Sequence, residues 1–463
     1  MNQQANVEQG GLTESGLEKQ KVAVLSTRHP AGFYFFFWGE FAERCSYYGM
    51  RAIMPLFLTG VLAYSDSEAI ETYAYFKAAC YLLPLLGGFL ADRYFGKYWT
   101  IVGFSIPYVL GHFILGIETR PALILALILL ACGSGVIKPN ISTLMGMTYD
   151  QKRPGQTALR TSAFLWFYFS INVGSMISLY ALPEIRDYVI KKSNDAGFAY
   201  RVAFQFPAWL MVAAFAIFAA GKRHYAVEVI DRTKKLSPEE RQQRWSVLTT
   251  LFGIFFLIIF FWIAYEQNDN LWTFFCRDHV DRVLNLGFFK KEFAPDGFQF
   301  INAMLILILV PLFGWTWKRV DPQGTRFKPA TKIFMGFLFT AASAGVMSLA
   351  AFQASGGELV SAWWMVLGYF VLTVGEILVY GTGLELSYTA APANMKGFIT
   401  ACFLVTNSLG NMVNSRVSPL YKETIPEGQF FALTAALVLV ASVAFYFVGR
   451  RFNRGPSEAQ PAA

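Results

Sequence analysis

The residues best suited to moving a proton are charged groups set inside apolar stretches. Glu40, Glu43, Arg44 and Tyr47 stand at positions i, i+3, i+4 and i+7, so a helix through them aligns two carboxylates, a guanidinium and a phenol along one stripe. Paired carboxylates beside a cation can take up and release a proton: burial and like charge raise proton affinity, and the cation lowers it. Protonating one Glu would release its cationic partner. Lys138, Glu266 and Glu376 stand in three further apolar stretches. At about 2.5–3.5 kcal/mol per unpaired charge, six such groups at the centre of a bilayer would cost on the order of 15–20 kcal/mol. They are therefore expected to face one another, or water, inside a helical bundle.

Lys138 follows Gly133-Ser-Gly-Val-Ile and precedes Pro139-Asn140. Small residues there allow close helix approach, and the proline interrupts the backbone ladder beside the charge. A site that changes state and a lysine reaching for the interface both fit this pattern. Tyr81, Tyr168, Asn172, Trp262 and Asn302 add polar or aromatic groups on other stretches, where packing and ligand contact both fit. Lys77 lies nearer the far end of its stretch and is expected to snorkel or line a mouth, without a coupling role. His29, His112, His224 and His279 lack metal-ligand spacing, and no nucleophile motif or phosphate-binding loop is evident. The expectation is a non-enzyme without metal or cofactor, driven by an ion gradient.

These residues need long apolar elements to hold them, and the composition supplies them. Of 463 residues, 55% are hydrophobic, 17% aromatic and only 15% charged, with mean hydropathy +0.39; a soluble domain carries about 25% charge. The net charge of +8 is scattered between apolar runs, which argues against nucleic acid as a partner. Cys45, Cys80, Cys132, Cys276 and Cys402 are odd in number and widely spaced, as expected of buried free thiols. The first 28 residues are polar, so no cleavable signal peptide is expected and the first span would serve for insertion.

Runs bounded by charge, Gly or Pro predict about twelve membrane helices, near residues 33–62, 72–92, 99–118, 121–148, 160–181, 202–221, 246–272, 299–317, 332–352, 360–388, 398–420 and 429–449; ten or fourteen also fit the pattern. Residues 221–245 carry seven basic and four acidic residues and divide the chain into six spans and six. The expected organisation is a cytosolic tail (1–28), a first six-helix bundle (29–221), a cytosolic linker (222–245), a second bundle (246–450) and a cytosolic tail (451–463). Basic residues such as Arg93, Lys97, Lys152 and Arg153 gather on the side of the termini, which the positive-inside rule places in the cytosol. Two such halves suit a carrier with its substrate near the midplane.

Glu40-Phe-Ala-Glu43-Arg44-Cys-Ser-Tyr47-Tyr48-Gly49-Met-Arg51 resembles the first helix of the proton-coupled oligopeptide transporter family, which carries an E-x-x-E-R-F-x-Y-Y-G pattern. Gly88-Phe-Leu-Ala-Asp92-Arg93-Tyr-Phe-Gly96-Lys97 is similar to the major facilitator loop. Supporting segments are Lys138-Pro-Asn, Phe167-Tyr168-Phe-Ser-Ile-Asn172, Trp262-Ile-Ala-Tyr-Glu266-Gln267, Phe298-Gln-Phe-Ile-Asn302, Gly375-Glu376 and Gly383-Leu-Glu385. The likeness runs from about residue 28 to 450. It implies an all-α membrane protein of the major facilitator fold, with two six-helix bundles, working as a monomer in a bacterial inner membrane.

The resemblance also implies roles. Glu40, Glu43, Arg44, Lys138 and Glu266 would form the proton-coupling network. Arg44, Arg51 and Lys138 would face a peptide carboxylate; Asn172, Asn302 and Glu376 would hold its amino terminus; Tyr47, Tyr48, Tyr81, Tyr168 and Trp262 would shape side-chain pockets. The expected activity is proton-driven import of di- and tripeptides by alternating access. A small-anion carrier of nitrate type and a non-transporting peptide receptor are the competing readings. Three departures stand out: Cys45 replaces the motif's Phe, Ala74 stands where animal members have a histidine, and Tyr380-Gly381 replaces a frequent Ser-Pro pair, which leaves the bend there unsupported by the sequence.

Overall fold

The structure is a computed structural model that describes residues 28–228, 237–285, 287, 290–321, 327–389 and 396–454. The expected tails fall largely outside these residues, as does the middle of the expected linker. The first half consists of α1 (Gly32–Gly60), α2 (Asp66–Leu90), α3 (Lys97–Leu115), α4 (Arg120–Lys152), α5 (Thr157–Ser193) and α6 (Ala196–Ala220). The second consists of α7 (Pro238–Tyr265), a short α8 (Leu271–His279), α9 (Phe300–Val320), α10 (Pro329–Ala354), α11 (Trp363–Glu376) with α12 (Thr382–Thr389), α13 (Lys396–Val417) and α14 (Glu427–Arg454). Counting α7 with α8 and α11 with α12 as one span each gives twelve among the described residues. Ten are long and apolar enough to cross a membrane. The other two are α1, which carries Glu40, Glu43, Arg44 and Arg51, and α13, rich in Asn and Ser.

Local signals fix the ends. Ser65 and Glu68 form a reciprocal capping box at the start of α2, and Ser237 and Glu240 do the same for α7, with Pro238 in the first turn. Asp195 caps α6 by accepting from the Phe198 amide at 2.9 Å. Two spans depart from single helices. The seventh, expected to be unbroken over 246–272, stops at Tyr265 and resumes as α8, because Asn268, Asp269 and Asn270 favour turns over helix continuation. The tenth contains a π-helical turn at Ile377–Gly381, so the backbone irregularity stands at Tyr380-Gly381 without a proline. Such turns recur at functional sites. At the end away from the linker, β2 (Val283–Asn285) and β3 (Lys290–Glu292) form an antiparallel hairpin, and β1 (Val280–Asp281) pairs with β4 (Val360–Ser361); helical periodicity gave no sign of either.

Packing is dense within each half, with α3 on α4, α1 on α5 and α6, and α10 on α14. Across the halves α2 meets α13 and α5 meets α9. The largest apolar cluster joins α1 to α6 with Phe274, Phe275, Tyr421 and Phe431 of the second half. A second, with Leu251, Ile254, Phe337 and Phe445, stays within the second half. The core is thus continuous between halves at the end away from the linker. The first linker residues are strapped to the first half: Gln151 pairs with the backbone of Val227 in both directions, and Glu228 accepts from the amides of Lys97 and Tyr98 at 2.9 and 3.1 Å.

Candidate functional site

The sequence-predicted residues separate into two groups. Inside the first half, α1 presents the expected stripe: Arg44 Nε lies 2.7 Å from Glu40 Oε1 and 2.6 Å from Glu43 Oε2, with all three residues buried. Tyr108 of α3 donates its hydroxyl to Glu43 Oε1 at 2.8 Å. Lys138 of α4 does not pair with this network: among the described residues no carboxylate oxygen lies within 4 Å of its ammonium. Its Nζ stands 3.9 Å from the Tyr47 ring centroid and 5.3 Å from that of Tyr81. The fully buried Tyr47 ring also faces the Arg44 and Arg51 guanidiniums, so its face is a platform for three cations.

The second group lines a cavity between the halves, formed by Tyr48, Arg51 and Tyr81 of the first half and Trp262, Glu266, Asn302 and Glu376 of the second, with Leu179, Tyr265, Asn268, Asp269, Gln299 and Tyr380. Asn302 Nδ2 donates to Glu376 Oε2 at 2.8 Å, which aims the carboxylate from α11. Trp262 Nε1 donates to Thr406 Oγ1 at 3.0 Å and fixes the indole plane. Arg44, Tyr47 and Lys138 are not part of this lining, nor are Tyr168 and Asn172. Asn172 donates to the Tyr168 carbonyl within α5 at 2.9 Å, and the Tyr168 side chain is exposed.

Lys77 overturns its expected place. It is completely buried, and its Nζ lies 2.8 Å from Glu266 Oε2 and 2.7 Å from Asp269 Oδ1. Arg51 pairs with Asp269 Oδ2, and Tyr73 donates to the same oxygen at 3.1 Å. Residues 51, 73 and 77 of the first half thus close on 266 and 269 of the second. A lysine stem can reach an interface only when its helix face meets lipid or water; here α2 packs on α13, and Lys77 meets the turn after α7. Sequence reasoning also missed Asp269, although a second acid three residues after Glu266 was a visible signal. It missed Tyr108, for which the sequence held none.

Further pairs join the halves toward the same end. Arg186 of α5 makes a two-pronged contact with Asp296, and both are buried. Arg277 binds Asp66 at 2.8 Å, and Lys422 approaches Asp66 at 3.4 Å while pairing with Asp278. Partial burial opposes ionisation of Asp278, yet hydrogen bonds from Arg277 and Lys422 outweigh it and hold its carboxyl below the usual range.

Two helical bundles that close over a charged central cavity define a multi-pass membrane protein of the major facilitator fold. The chain belongs to the POT family, whose model, PTR2, matches residues 98–237 and 227–433. It is 29% identical to human "Solute carrier family 15 member 2" over 70% of its length, and it spans about half (49%) of that relative. It is 28% identical to "Peptide transporter YePEPT" of Yersinia enterocolitica, covering 90% of this chain and 95% of the relative. Among solved structures, the "POT family transporter PepTSo" aligns with TM-score 0.77 at 25% identity, over 92% of this chain and 99% of that one. A POT family transporter in complex with 5-aminolevulinic acid aligns with TM-score 0.79 at 21% identity, over 91% and 97%.

Proposed function

We propose that this protein is a proton-coupled symporter that brings di- and tripeptides into the cell by alternating access, in a bacterial inner membrane with both termini cytosolic. The observation that carries the reading is the polarity of the cavity: Arg51 on one half, and Glu376 held by Asn302 on the other. A short peptide is a zwitterion and needs opposite charges at its ends. Tyr48, Tyr81, Trp262 and Tyr380 leave broad aromatic walls that suit varied side chains. Membership of the POT family and similarity to relatives named as peptide transporters support the same reading.

The coupling follows from placing carboxylates where each has a cation to lose. Protonating Glu40 or Glu43 frees Arg44 from one of its two carboxylates; protonating Glu266 frees Lys77 from one of its two partners, weakening the tie between α2 and the end of α7. No cofactor enters this scheme, and 100 mV supplies about 2.3 kcal/mol per charge moved inward. Both halves close at the end away from the linker, which in this orientation is the outward-closed arrangement.

Dialanine uptake into proteoliposomes under an imposed pH gradient and potential tests the proposal. The parent should accumulate dialanine only with the gradient, and Glu43→Gln should abolish accumulation. Gradient-independent uptake, or competition by nitrate without competition by dialanine, would overturn it.

A further inference from the structure

Asn407, Asn411 and Asn414 recur along one stripe of α13, and all three are buried. Asn407 Nδ2 donates to Glu266 Oε1 at 2.5 Å. Asn411 Nδ2 donates in turn to Asn407 Oδ1 at 2.9 Å and to the Asn407 carbonyl at 3.1 Å. Asn411 Oδ1, also buried, has no hydrogen-bond partner. Asn414 Nδ2 donates to the Ile263 carbonyl at 3.1 Å and ends the row against α7. The contact is tight: a Cβ added at Gly410 would lie 2.5 Å from Trp262 Cβ. A buried acceptor without a donor is costly, which makes the idle Asn411 oxygen within this row the feature to explain.

We infer that Asn407 and Asn411 form an amide relay that responds to the protonation of Glu266, an assignment that rests on the symport reading for its physiological purpose. As a carboxylate, Glu266 accepts from Lys77 Nζ through Oε2 and from Asn407 through Oε1. Once Oε1 carries a proton, it becomes a donor and meets the donor end of Asn407. An amide differs from a hydroxyl-free apolar neighbour in having a donor and an acceptor on one plane, so half a turn about its last bond exchanges them. Turned, Asn407 accepts the acid proton through Oδ1 and offers its NH2 to Asn411; the idle Asn411 Oδ1, turned likewise, is the acceptor that bond requires. The row reverses direction and gives up one bond, that to the Asn407 carbonyl.

The other elements around Glu266 carry charge. Lys77 and Tyr81 come from α2, Asp269 from the following turn, Arg51 from α1 through Asp269, and Glu376 with Tyr265 from the same cavity. From Thr406 to Ser415, α13 carries no ionisable group, so its side of Glu266 is the one that can answer protonation by turning rather than by moving charge. The neighbouring Ser408 donates to the Ala78 carbonyl of α2 at 2.8 Å. The relay therefore lies beside the contact by which α13 holds the opposite half, one residue from Lys77.

Infrared titration of the full-length protein in lipid tests the relay, using the protonated-carboxyl band that Glu266→Gln removes. Asn407→Leu deletes a hydrogen bond to the charged form and should raise the band's midpoint by about one pH unit, the tenfold expected of such a bond. Asn411→Leu should move it the same way by less, and Asn411→Gln, which keeps an amide, should restore the parent value. Asn411→Leu carries the test should Asn407→Leu fail to fold. An unshifted or downward midpoint in Asn411→Leu, or a band insensitive to Glu266→Gln, would overturn the relay. Dialanine accumulation by the same vesicles separates the two claims. A parent that does not accumulate dialanine fails the symport reading alone, whereas an unshifted titration in an accumulating parent fails the relay alone.

Discussion

Lys77 holds two carboxylates that would otherwise repel each other across 2.7–2.8 Å contacts to one ammonium. Removing one partner of a buried ion pair leaves uncompensated charge and costs about 3–5 kcal/mol. Lys77→Met keeps the length of the stem without the charge, so a loss of that size is expected in unfolding of the purified protein. Adding Glu266→Gln should recover part of it, because the stranded charge is then reduced. A Lys77→Met variant as stable as the parent would place the ion pair outside the energetics of the closed state. At this scale the sequence showed which residues were costly in a membrane but not which met. Glu40, Glu43 and Arg44 were legible as a network because four residues make a helix turn, whereas Lys77 and Glu266 lie 189 residues apart and no local spacing joins them.

Helices carry these groups to one another, and their breaks are as informative as their lengths. Hydropathy recovered the spans because burial in lipid demands unbroken apolar length. It missed the break in the seventh span, where the turn-favouring Asn268-Asp269-Asn270 sits at the end of a long apolar run, and the π-helical turn at Ile377–Gly381 of the tenth, whose mostly apolar composition does not mark it. Close approach is the other property elements must supply. A Cβ at Gly133 on α4 would lie 2.2 Å from Tyr108 Cβ on α3, while one at Gly103 would meet no heavy atom within 4 Å. Gly133→Ala must push α3 away and with it the hydroxyl that holds Glu43 at 2.8 Å. The expected cost is about 1–3 kcal/mol of stability, typical of overpacking, together with a changed pH profile of uptake; Gly103→Ala should leave both unchanged. Thermal unfolding and pH-dependent uptake of the two variants check this directly.

At the scale of the molecule, the closed end is held in part by a cluster in which Arg277 and Lys422, supported by Asp278, reach Asp66 of the other half. Asp278 contributes with Arg277 and Lys422, and its depressed proton affinity fixes the sign. The stabilisation is present above the ordinary aspartate value of about 3.9 and is lost only as pH falls through the lower folded value. Mild acid therefore leaves this part of the latch charged, and on the symport reading a proton gradient near neutral pH acts through the buried carboxylates on α1 and after α7. Asp278→Asn should lower the unfolding temperature at neutral pH, with the difference from the parent vanishing in strong acid. The pH midpoint of dialanine uptake should stay where the parent has it. A displaced midpoint would move the proton-sensing step to this face and separate it from the Glu266 carboxylate, to which α2, α7 and α13 all converge.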